Sequence, residues 1–577
     1  MNTSVLEVEE KKELETAPIM GSEGVLKCLL EEGVDTIFGY PGGAIMPVYD
    51  SLYGYADQLN HVLSRHEQGA IHAAQGYARA SGKVGVCLAT SGPGATNLIT
   101  GITDAMIDST PLVCITGQVA SHLLGSDAFQ ETDIIGISMP VTKWNFQVTQ
   151  ADEIPEALAK AFYIARSGRP GPVLIDITKN AQQSTFDFQY EPCTRIRSYH
   201  PYPALEEEPM AQAAKLINEA KKPYILFGQG VILSGAEQEL QQLIEKAGIP
   251  AASTLLGLSA FSTRHPLYVG YTGMHGNYGP NVKTNECDVF IAIGMRFDDR
   301  VTGDVNTYAA QAKVIHIELD PAEINKNIKV DVAINGDAKQ ALQALIPLLN
   351  ENTHEDWLAE FHECDRIEME KAIKKSIDPQ QGLLTMAEVV HRLSEYTQGK
   401  SMIVTDVGQH QMMTSRYYKF DYLRSHITSG GLGTMGFCLP AAIGAKIGAP
   451  EREVIAIIGD GGFQMTLQEL GLIMQYQVGV KILILNNEFL GMVRQWQQLF
   501  FDKRYSFTEM QNPDFIALAG SYGIPAQRIE KREDLGSAFD SWLSTEGPSL
   551  LEVLVEKEEN VFPMVPTGTC VSKIRLE

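Results

Sequence analysis

The stretch at residues 454–496 constrains the fold of this chain more than any other. Apolar runs at 454–458 and 480–485 predict two buried strands, and the amphipathic segment between them predicts a helix. A strand, a helix and a second strand of this length form a right-handed crossover between parallel strands. The crossover places Asp460 and Asn487 at the carboxyl ends of the two strands, where open α/β sheets bind ligands.

The residue types at these strand ends indicate a metal-bound phosphate. A carboxylate and a carboxamide oxygen suit Mg²⁺, which keeps coordination positions free for phosphate oxygens. Gly459, Gly461 and Gly462 let backbone N–H groups approach a diphosphate. A Gly-Asp-Gly followed after 27 residues by Asn-Asn resembles the thiamine diphosphate motif. The alternative is a tight glycine turn beside a surface asparagine pair, because Gly and Asn are common turn residues.

Length and charge narrow the range of functions. A chain of 577 residues is too long for one core, so we expect three or four domains. The net charge of −25 argues against nucleic acid and anionic membranes as partners, because both require a basic surface. An anionic substrate must therefore be held by local cationic groups.

Targeting and redox signals are sparse. Residues 1–19 are polar and acidic, and we expect a flexible tail rather than a secretory signal or transit peptide. No run reaches the 18 apolar residues that span a bilayer. The eight cysteines are scattered without a Cys-x-x-Cys pair, which is typical of reduced thiols in a cytoplasmic protein.

Alternation of strand and helix patterns predicts an α/β protein with three doubly wound parallel-sheet domains. Two glycine-rich loops of similar character, at 91–97 and 429–436, make the first and third domains candidates for an ancient duplication. The predicted boundaries are a tail at 1–19, a first domain at 20–182, a linker at 183–205, a central domain at 206–350, a connecting segment at 351–380, a third domain at 381–555 and a C-terminal tail over the site at 556–577.

Glu67 lies at the predicted start of a helix. A glutamate is favoured there by the helix macrodipole alone, which is the ordinary interpretation. The alternative is catalytic, because thiamine chemistry needs a carboxyl group hydrogen-bonded to the aminopyrimidine ring.

From about residue 20 to 565 the chain resembles the catalytic large subunits of the acetolactate synthase (acetohydroxyacid synthase) family, which use thiamine diphosphate in branched-chain amino-acid synthesis. The motifs that carry the resemblance are FGYPGGA at 38–44, RHEQGA at 65–70, TSGPGATN at 90–97, DAFQE at 127–131, SGRPGPV at 167–173, GMHG at 273–276, MRFDDR at 295–300, VGQHQM at 407–412, SGGLGTMGF at 429–437, GDGGF at 459–463 and NNEFLGMVRQWQ at 486–497.

The resemblance implies roles for the residues around the thiamine cofactor. Glu67 would activate the aminopyrimidine, and Met435 would prop the thiazolium ring, although core packing is the usual role of a methionine. Asp460, Asn487 and the backbone carbonyl of Phe489 would bind Mg²⁺. The residues lining the cofactor would be Gly408, Gln409, His410, Gly433, Met435, Gly461 and Gly462, the last of which replaces the serine found in most members.

The resemblance also implies FAD in the central domain, with a structural rather than a redox role. Related catabolic enzymes that form acetolactate lack both FAD and the MRFDDR motif. The positions that match flavin contacts are Arg169, Gly228, Gly230, Thr254, Leu255, Gly273, Met274, His275, Gly276, Gly294, Arg296, Asp298, Glu318, Gly336, Asp337 and, in the linker, Arg197.

A substrate pocket is implied by Arg300 and Trp496. Arg300 would grip the carboxylate of a second 2-oxoacid, because guanidinium binds carboxylate bidentately, and the alternative is a weak surface ion pair with Asp298 or Asp299. Trp496 would favour the larger second substrate, or would simply pack in its helix. Phe129, Gln130 and Met492 would complete the pocket.

The implied reaction decarboxylates pyruvate and transfers the two-carbon unit to pyruvate or 2-oxobutyrate, the first common step towards valine, leucine and isoleucine. The family builds each site from two chains, so we expect a homodimer or a dimer of dimers, with Glu67 and Asp460 from different subunits. A small regulatory subunit is a further implied partner.

Rival functions stay open from the sequence. Within the class they are a glyoxylate carboligase, an oxalyl decarboxylase and a catabolic synthase. Outside it they are a flavin-dependent pyruvate oxidase and a non-catalytic regulatory protein.

Overall fold

A computed structural model of the protein describes residues 17–577. Of the predicted flexible tail at 1–19, residues 1–16 lie outside the described part of the chain. Its last residues begin the fold, because Ile19 and Met20 form strand β1. None of the helices in residues 17–577 is long and apolar enough to cross a membrane.

The first domain is a six-stranded parallel sheet in the order β3-β2-β4-β5-β7-β6. Its strands are β2 (Thr36–Gly39), β3 (Asn60–Leu63), β4 (Gly85–Ala89), β5 (Leu112–Gln118), β6 (Trp144–Val148) and β7 (Pro172–Thr178). Its helices are Gly21–Glu31, Met46–Leu52, Glu67–Ser81, Pro93–Thr96, Ile99–Ile107, Ile134–Ser138, Ile154–Arg166 and Lys179–Gln183.

The start of the predicted linker at 183–205 is tied to this domain. Strand β8 (Thr185–Phe186) pairs antiparallel with β1, joining Ile19 to Phe186. The first residues of the predicted linker are therefore anchored to the first domain. The anchor is hydrophobic, since the rings of Phe186 and Phe188 lie 6.1 Å apart beside the first helix.

The central domain is a parallel sheet in the order β11-β10-β9-β12-β13-β14. This is the 3-2-1-4-5-6 order of dinucleotide-binding folds, with the switch point between β9 and β12. Its strands are β9 (Pro223–Phe227), β10 (Ala251–Ser253), β11 (Tyr268–Tyr271), β12 (Val289–Ile293), β13 (Lys313–Glu318) and β14 (Val332–Asn335). The helices of this domain and of the connecting segment are Glu207–Glu219, Gln229–Ser234, Glu237–Ala247, Tyr278–Thr284, Asp299–Thr302, Ala338–Leu345, Glu355–Glu368, Met369–Ile373 (a π turn) and Lys374–Ile377.

The third domain repeats the strand order of the first, as β16-β15-β17-β18-β20-β19. Counted within each domain, both orders are 2-1-3-4-6-5, which supports the duplication. Its strands are β15 (Met402–Thr405), β16 (His426–Thr428), β17 (Val454–Gly459), β18 (Val480–Asn486), β19 (Ala526–Ile529) and β20 (Ser549–Leu554). Its helices are Met386–Tyr396, Gln409–Tyr417, Cys438–Gly448, Asp460–Thr466, Leu470–Tyr476, Gly491–Phe500, Phe515–Ser521 and Leu535–Ser544.

The 454–496 stretch contains one helix more than the sequence pattern predicts. The helix predicted from about residue 466 to 477 is present as Leu470–Tyr476, and an additional helix, Asp460–Thr466, precedes it. Gly461 and Gly462 therefore form the first helical turn rather than a loop. A carboxylate at the first helical position is stabilised by the macrodipole, and this offsets the low helix propensity of the glycines.

Two glycine-containing helices join the first and third domains. Helix Glu67–Ser81 packs along helix Cys438–Gly448, and the approach is so close that a Cβ at Gly76 would overlap the carbonyl group of Ala441. A Cβ at Gly444 would likewise overlap the carbonyl of Ala73. The two domains that carry the predicted thiamine residues are thus fixed against each other within one chain.

Candidate active site

The switch point of the third sheet, between β15 and β17, carries the first cluster of predicted cofactor residues. Gly408, Gln409 and His410 follow β15 and open a helix. Asp460 follows β17, its neighbour in the sheet. Carboxyl ends of strands at a switch point form the ligand crevice of such sheets. The predicted thiamine diphosphate residues therefore lie where the fold places a ligand.

Asp460 has the environment of a cation ligand. Its carboxyl group is buried, and Oδ2 accepts a hydrogen bond of 2.8 Å from the side-chain amide of Asn512. Burial raises the pKa of Asp460 to about 6, although hydrogen bonds from Asn512 and backbone N–H groups oppose the rise. Within residues 17–577 no cation pairs with it. A buried carboxylate without a cation is stabilised strongly by a bound metal.

Asn487 and Phe489 stand beside Asp460 at the end of β18. The backbone N–H of Phe489 donates to Oδ1 of Asn487 at 3.2 Å. No group of three or more His, Cys, Asp or Glu side chains in the described chain could hold a metal. The donor set here is instead one carboxylate, one amide oxygen and one carbonyl, which fits Mg²⁺ because that ion is held by few protein oxygens and by phosphate.

Gln409 and His410 differ in what they offer a cofactor. The Gln409 side-chain amide donates to Gln495 Oε1 at 2.9 Å and to the Glu559 carbonyl at 2.7 Å. Its side chain is thus occupied within the protein. Burial lowers the pKa of His410 to about 4, and its Nε2 has no partner in the described part of the chain. A neutral ring with an unpaired nitrogen suits a polar cofactor group.

Asp406 is a residue that the sequence interpretation missed. It follows β15, and its carboxylate accepts hydrogen bonds of 3.0 Å from the backbone N–H groups of both Gly436 and Cys438, while burial raises its pKa to about 6. It thereby fixes the loop that carries Met435. A Cβ at Gly462 would lie 2.6 Å from Asp406 Oδ1, so Asp406 borders the space that a serine would enter. A carboxylate directly after a buried strand was the available signal.

Glu67 is the first residue of its helix and is buried. The Asn97 side-chain amide donates to Glu67 Oε2 at 3.0 Å. Asn97 belongs to the 91–97 loop but was not predicted as a site residue. A second carboxylate, Glu469, accepts from the Arg65 N–H at 3.1 Å just before this helix, and burial raises the pKa of Glu469 to about 7. Glu67 therefore has an orienting partner, which an ordinary first-turn glutamate does not need.

Phe129 and Gln130 project from the first domain. The Phe129 side chain is 88% exposed, and Gln130 adopts a φ of 60°. The Gln130 carbonyl lies so close to Gly92 that a Cβ there would approach it to 2.7 Å. This contact joins their loop to the 91–97 loop, near Glu67.

A cavity of about 770 Å³ gathers most of the other predicted residues. It is lined by Arg300, Met435, Met492 and Trp496, together with Gly408 and Gly433. The predicted flavin residues in its wall are Arg169, Gly228, Gly230, Thr254, Leu255, Gly273, Met274, His275, Gly294, Arg296, Asp298, Glu318, Gly336 and Asp337. Those outside its wall are Gly276 and Arg197.

The cavity opens at the switch point of the central sheet. Gly228 follows β9 and Gly294 follows β12, and a Cβ at Gly228 would overlap the Gly294 carbonyl. Gly294 has a φ of 57°, which glycine adopts without strain. Burial lowers the pKa of His275 to about 3, so its ring is neutral at neutral pH, and burial raises the pKa of Glu318 to about 7. The close approach of Gly228 and Gly294 at this switch point fits a dinucleotide-binding fold.

Arg300 is available to a substrate. Its side chain is 61% exposed, and its Nε lies 3.8 Å from the Asp299 carboxylate, which is a loose contact. Its backbone is fixed, because its carbonyl accepts from the Met274 N–H at 2.7 Å. Trp496 packs against Phe500 with ring centroids 5.0 Å apart while also lining the cavity. Trp496 therefore packs within its helix and also lines the pocket.

The C-terminal segment lies across this cavity's elements. Val561 N–H donates to Gln495 on the Trp496 helix at 2.8 Å, and Val565 N–H donates to the Met274 carbonyl at 2.7 Å. The C-terminal segment therefore links the helix that carries Trp496 to the loop that carries Met274.

The large cavity does not gather the whole predicted site. The proposed metal residues Asp460, Asn487 and Phe489 lie outside its wall. Glu67, Phe129 and Gln130 belong to the first domain and are absent from the described wall of the large cavity. Arg300, Met435, Met492 and Trp496 form that wall.

Three family matches cover the three domains. Residues 19–137 match the thiamine pyrophosphate enzyme N-terminal TPP binding domain, residues 210–345 its central domain and residues 406–553 its C-terminal TPP binding domain. Thiamine pyrophosphate is the same compound as thiamine diphosphate.

The chain is also similar to curated acetolactate synthase large subunits along most of its length. It is 46% identical over 557 residues to the isozyme 2 large subunit of Escherichia coli, covering 96% of this chain and 99% of the relative. It is 46% identical over 570 residues to the probable large subunit of Methanocaldococcus jannaschii (96% of both chains) and 44% identical over 554 residues to the large subunit of Lactococcus lactis (96% and 95%). The chain therefore belongs to the thiamine pyrophosphate enzyme family and, within it, to the acetolactate synthase large subunits.

Proposed function

We propose that the protein decarboxylates pyruvate and transfers the resulting two-carbon unit to a second pyruvate or to 2-oxobutyrate. The observation that carries the proposal is the large cavity. Its wall includes Arg300, Met492 and Trp496 together with Gly433 and Met435 of the glycine-rich loop at 429–436. A cation and an apolar wall suit a small 2-oxoacid with a short alkyl chain.

Thiamine pyrophosphate, when bound, supplies the electron sink that decarboxylation needs. Glu67, oriented by Asn97, would hold a proton at the aminopyrimidine. Asp460, Asn487 and the Phe489 carbonyl would hold Mg²⁺ at the diphosphate. Arg300 would bind the carboxylate of the second substrate, and Trp496 and Met492 would shape the space for its alkyl group. Phe129 and Gln130 would close the pocket from a neighbouring chain.

We further propose FAD in the central domain. The strand order, the glycine crossing at Gly228 and Gly294, and the shape of the cavity support this. Its role would be structural, because the proposed reaction has no net redox change. The match to large subunits supports two further proposals, a homodimer or a dimer of dimers, and a small regulatory subunit.

The test is an acetolactate assay with thiamine pyrophosphate, Mg²⁺ and FAD omitted one at a time. We expect product only when all three are present, and a mixed product when 2-oxobutyrate is added. Oxygen uptake or quinone reduction driven by pyruvate, without acetolactate, would instead identify a pyruvate oxidase.

A further inference from the structure

The loop at residues 273–278 connects the large cavity to parts of the chain outside the central domain. Its first three residues line the cavity and belong to the proposed flavin site. Arg416, which is not part of the cavity wall, donates from Nη1 to the His275 carbonyl at 3.1 Å and to the Gly276 carbonyl at 2.9 Å. Arg416 stands in the last turn of helix Gln409–Tyr417. A third-domain side chain therefore holds the backbone of residues 273–278, which we call the flavin loop.

Glu368 holds the end of the flavin loop. It is the last residue of helix Glu355–Glu368 in the connecting segment. Its carboxylate accepts hydrogen bonds of 3.2 Å from the Asn277 side-chain amide and 2.7 Å from the Tyr278 N–H. It also pairs with Arg416, and both side chains are 1% exposed. One buried ion pair thus holds four successive residues of the loop, through charge-assisted hydrogen bonds that are roughly twice as strong as neutral ones.

The contacts of this ion pair indicate its role better than its stability does. Taking two charges out of water is costly, and a well-packed apolar pair is often equally stable. The burial of Arg416 and Glu368 therefore needs a further reason. Both charges complete their hydrogen bonding with backbone and side-chain groups of the flavin loop, so they favour one conformation of that loop before a ligand arrives.

We propose that Arg416 and Glu368, together with the Tyr271 hydroxyl, are positioning residues that preset the flavin loop for FAD. The Tyr271 hydroxyl donates to the His275 carbonyl at 2.7 Å, the same carbonyl that Arg416 contacts. A loop that spends only a fraction of its time in the binding conformation binds its ligand more weakly by that fraction. The inference rests on the proposed flavin site.

The positioning role is expected to affect one cofactor and not the other. Arg416 lies near the end of the helix that Gln409 opens in the proposed thiamine site. That opening has its own anchors, because the Gln409 side chain donates to Gln495 Oε1 and to the Glu559 carbonyl. Loss of the Arg416 contacts should therefore weaken FAD binding and leave thiamine pyrophosphate binding unchanged.

The experiment is a titration of the apoenzyme with FAD, followed by flavin fluorescence in the presence of thiamine pyrophosphate and Mg²⁺. Tyr271→Phe removes one hydroxyl that holds the flavin loop. Tyr268→Phe is the matched control, because Tyr268 lies on the same strand and its hydroxyl bonds to the Ser253 hydroxyl at 3.0 Å instead of to the loop. Thermal unfolding and a titration with thiamine pyrophosphate are measured for every variant.

The ion pair is tested by a single and a double variant. Arg416→Gln leaves Glu368 buried without its cation, so we expect this variant to be less stable than wild type. The double variant, Arg416→Met with Glu368→Leu, removes both charges and should keep a stability closer to that of wild type. Both variants lack loop contacts, so both should bind FAD more weakly by about tenfold or more.

We expect Tyr271→Phe to weaken FAD binding severalfold and Tyr268→Phe to bind FAD like wild type. Equal weakening in the two tyrosine variants, or a double variant that binds FAD like wild type, would overturn the positioning role. So would a parallel loss of thiamine pyrophosphate affinity in Arg416→Gln, because the effect would then be general. The tyrosine comparison decides alone if an Arg416 variant does not fold. A wild-type protein that binds no FAD would remove the proposed flavin site and the inference with it.

Discussion

Glu67 and Asp460 show which features of a site residue can be predicted from the sequence around it. Their places in the fold were predictable, because Glu67 opens a helix after a strand and Asp460 directly follows a strand of a crossover. Their partners were not. Asn97, which donates a hydrogen bond to Glu67, lies 30 residues away in the sequence. The backbone N–H of Gly436, which donates to Asp406, also lies about 30 residues from its acceptor. Such contacts depend on how loops meet, which no local pattern records.

The proposed role of Glu67 predicts a loss of activity without a loss of fold. Glu67→Gln keeps the shape and can still hydrogen-bond with Asn97, but it cannot exchange a proton at the aminopyrimidine. We expect the turnover of pyruvate to fall by roughly 10²–10⁴-fold. Steady-state kinetics and thermal unfolding measure the two effects separately. Glu156→Gln, an exposed glutamate in the same domain, is the control and should keep full activity.

The proposed metal role of Asp460 predicts pH-dependent Mg²⁺ affinity. Burial raises the pKa of Asp460 to about 6, so its carboxyl group becomes protonated as the pH falls through that value. A metal binds the ionised form, and protons then compete with it. We expect the Mg²⁺ affinity of the apoenzyme with thiamine pyrophosphate to fall by about tenfold per pH unit below pH 6 and to level off above pH 7. Calorimetric titration between pH 5 and 8 measures this, and a flat profile would refute the role.

At the scale of elements, burial separated what the sequence could predict from what it could not. Strands β17 and β18 are buried along their full length, and their continuous apolar runs identify them. Strand β6 is an edge strand whose residues are mostly half-exposed, and its sequence WNFQV gave no clear pattern. Likewise, the additional helix at Asp460–Thr466 contains Gly461 and Gly462, whose low helix propensity predicts a loop.

The helix pair between the first and third domains gives an element-scale prediction. In Gly76→Ala the added methyl group would overlap the Ala441 carbonyl, and backbone cannot move aside cheaply. We expect a loss of unfolding free energy of about 1–3 kcal/mol or more. Gly520→Ala is the control, since the site in helix Phe515–Ser521 is open and alanine favours helix. Chemical denaturation of both variants tests this, and equal stability would contradict the packing described.

At the scale of the whole molecule, the strand orders of the three sheets determine where ligand crevices can form. The first and third sheets share one order, and the central sheet has the dinucleotide-binding order. The sequence predicted three doubly wound domains but could not supply these orders, because strand neighbours are set by long-range packing. Glu67 and Asp460 both lie outside the wall of the cavity that holds Met435 and Arg300. The central proposal is that two chains together build each site.

Subunit complementation tests that claim most directly. Glu67→Gln and Asp460→Asn chains would each be inactive alone, but a dimer containing one of each would pair an intact Glu67 with an intact Asp460. Co-expression of the two in equal amounts is predicted to restore about one quarter of wild-type acetolactate formation, because half of the dimers are mixed and each has one complete site. If mixed dimers form and no activity returns, both residues act within one chain and the account is wrong.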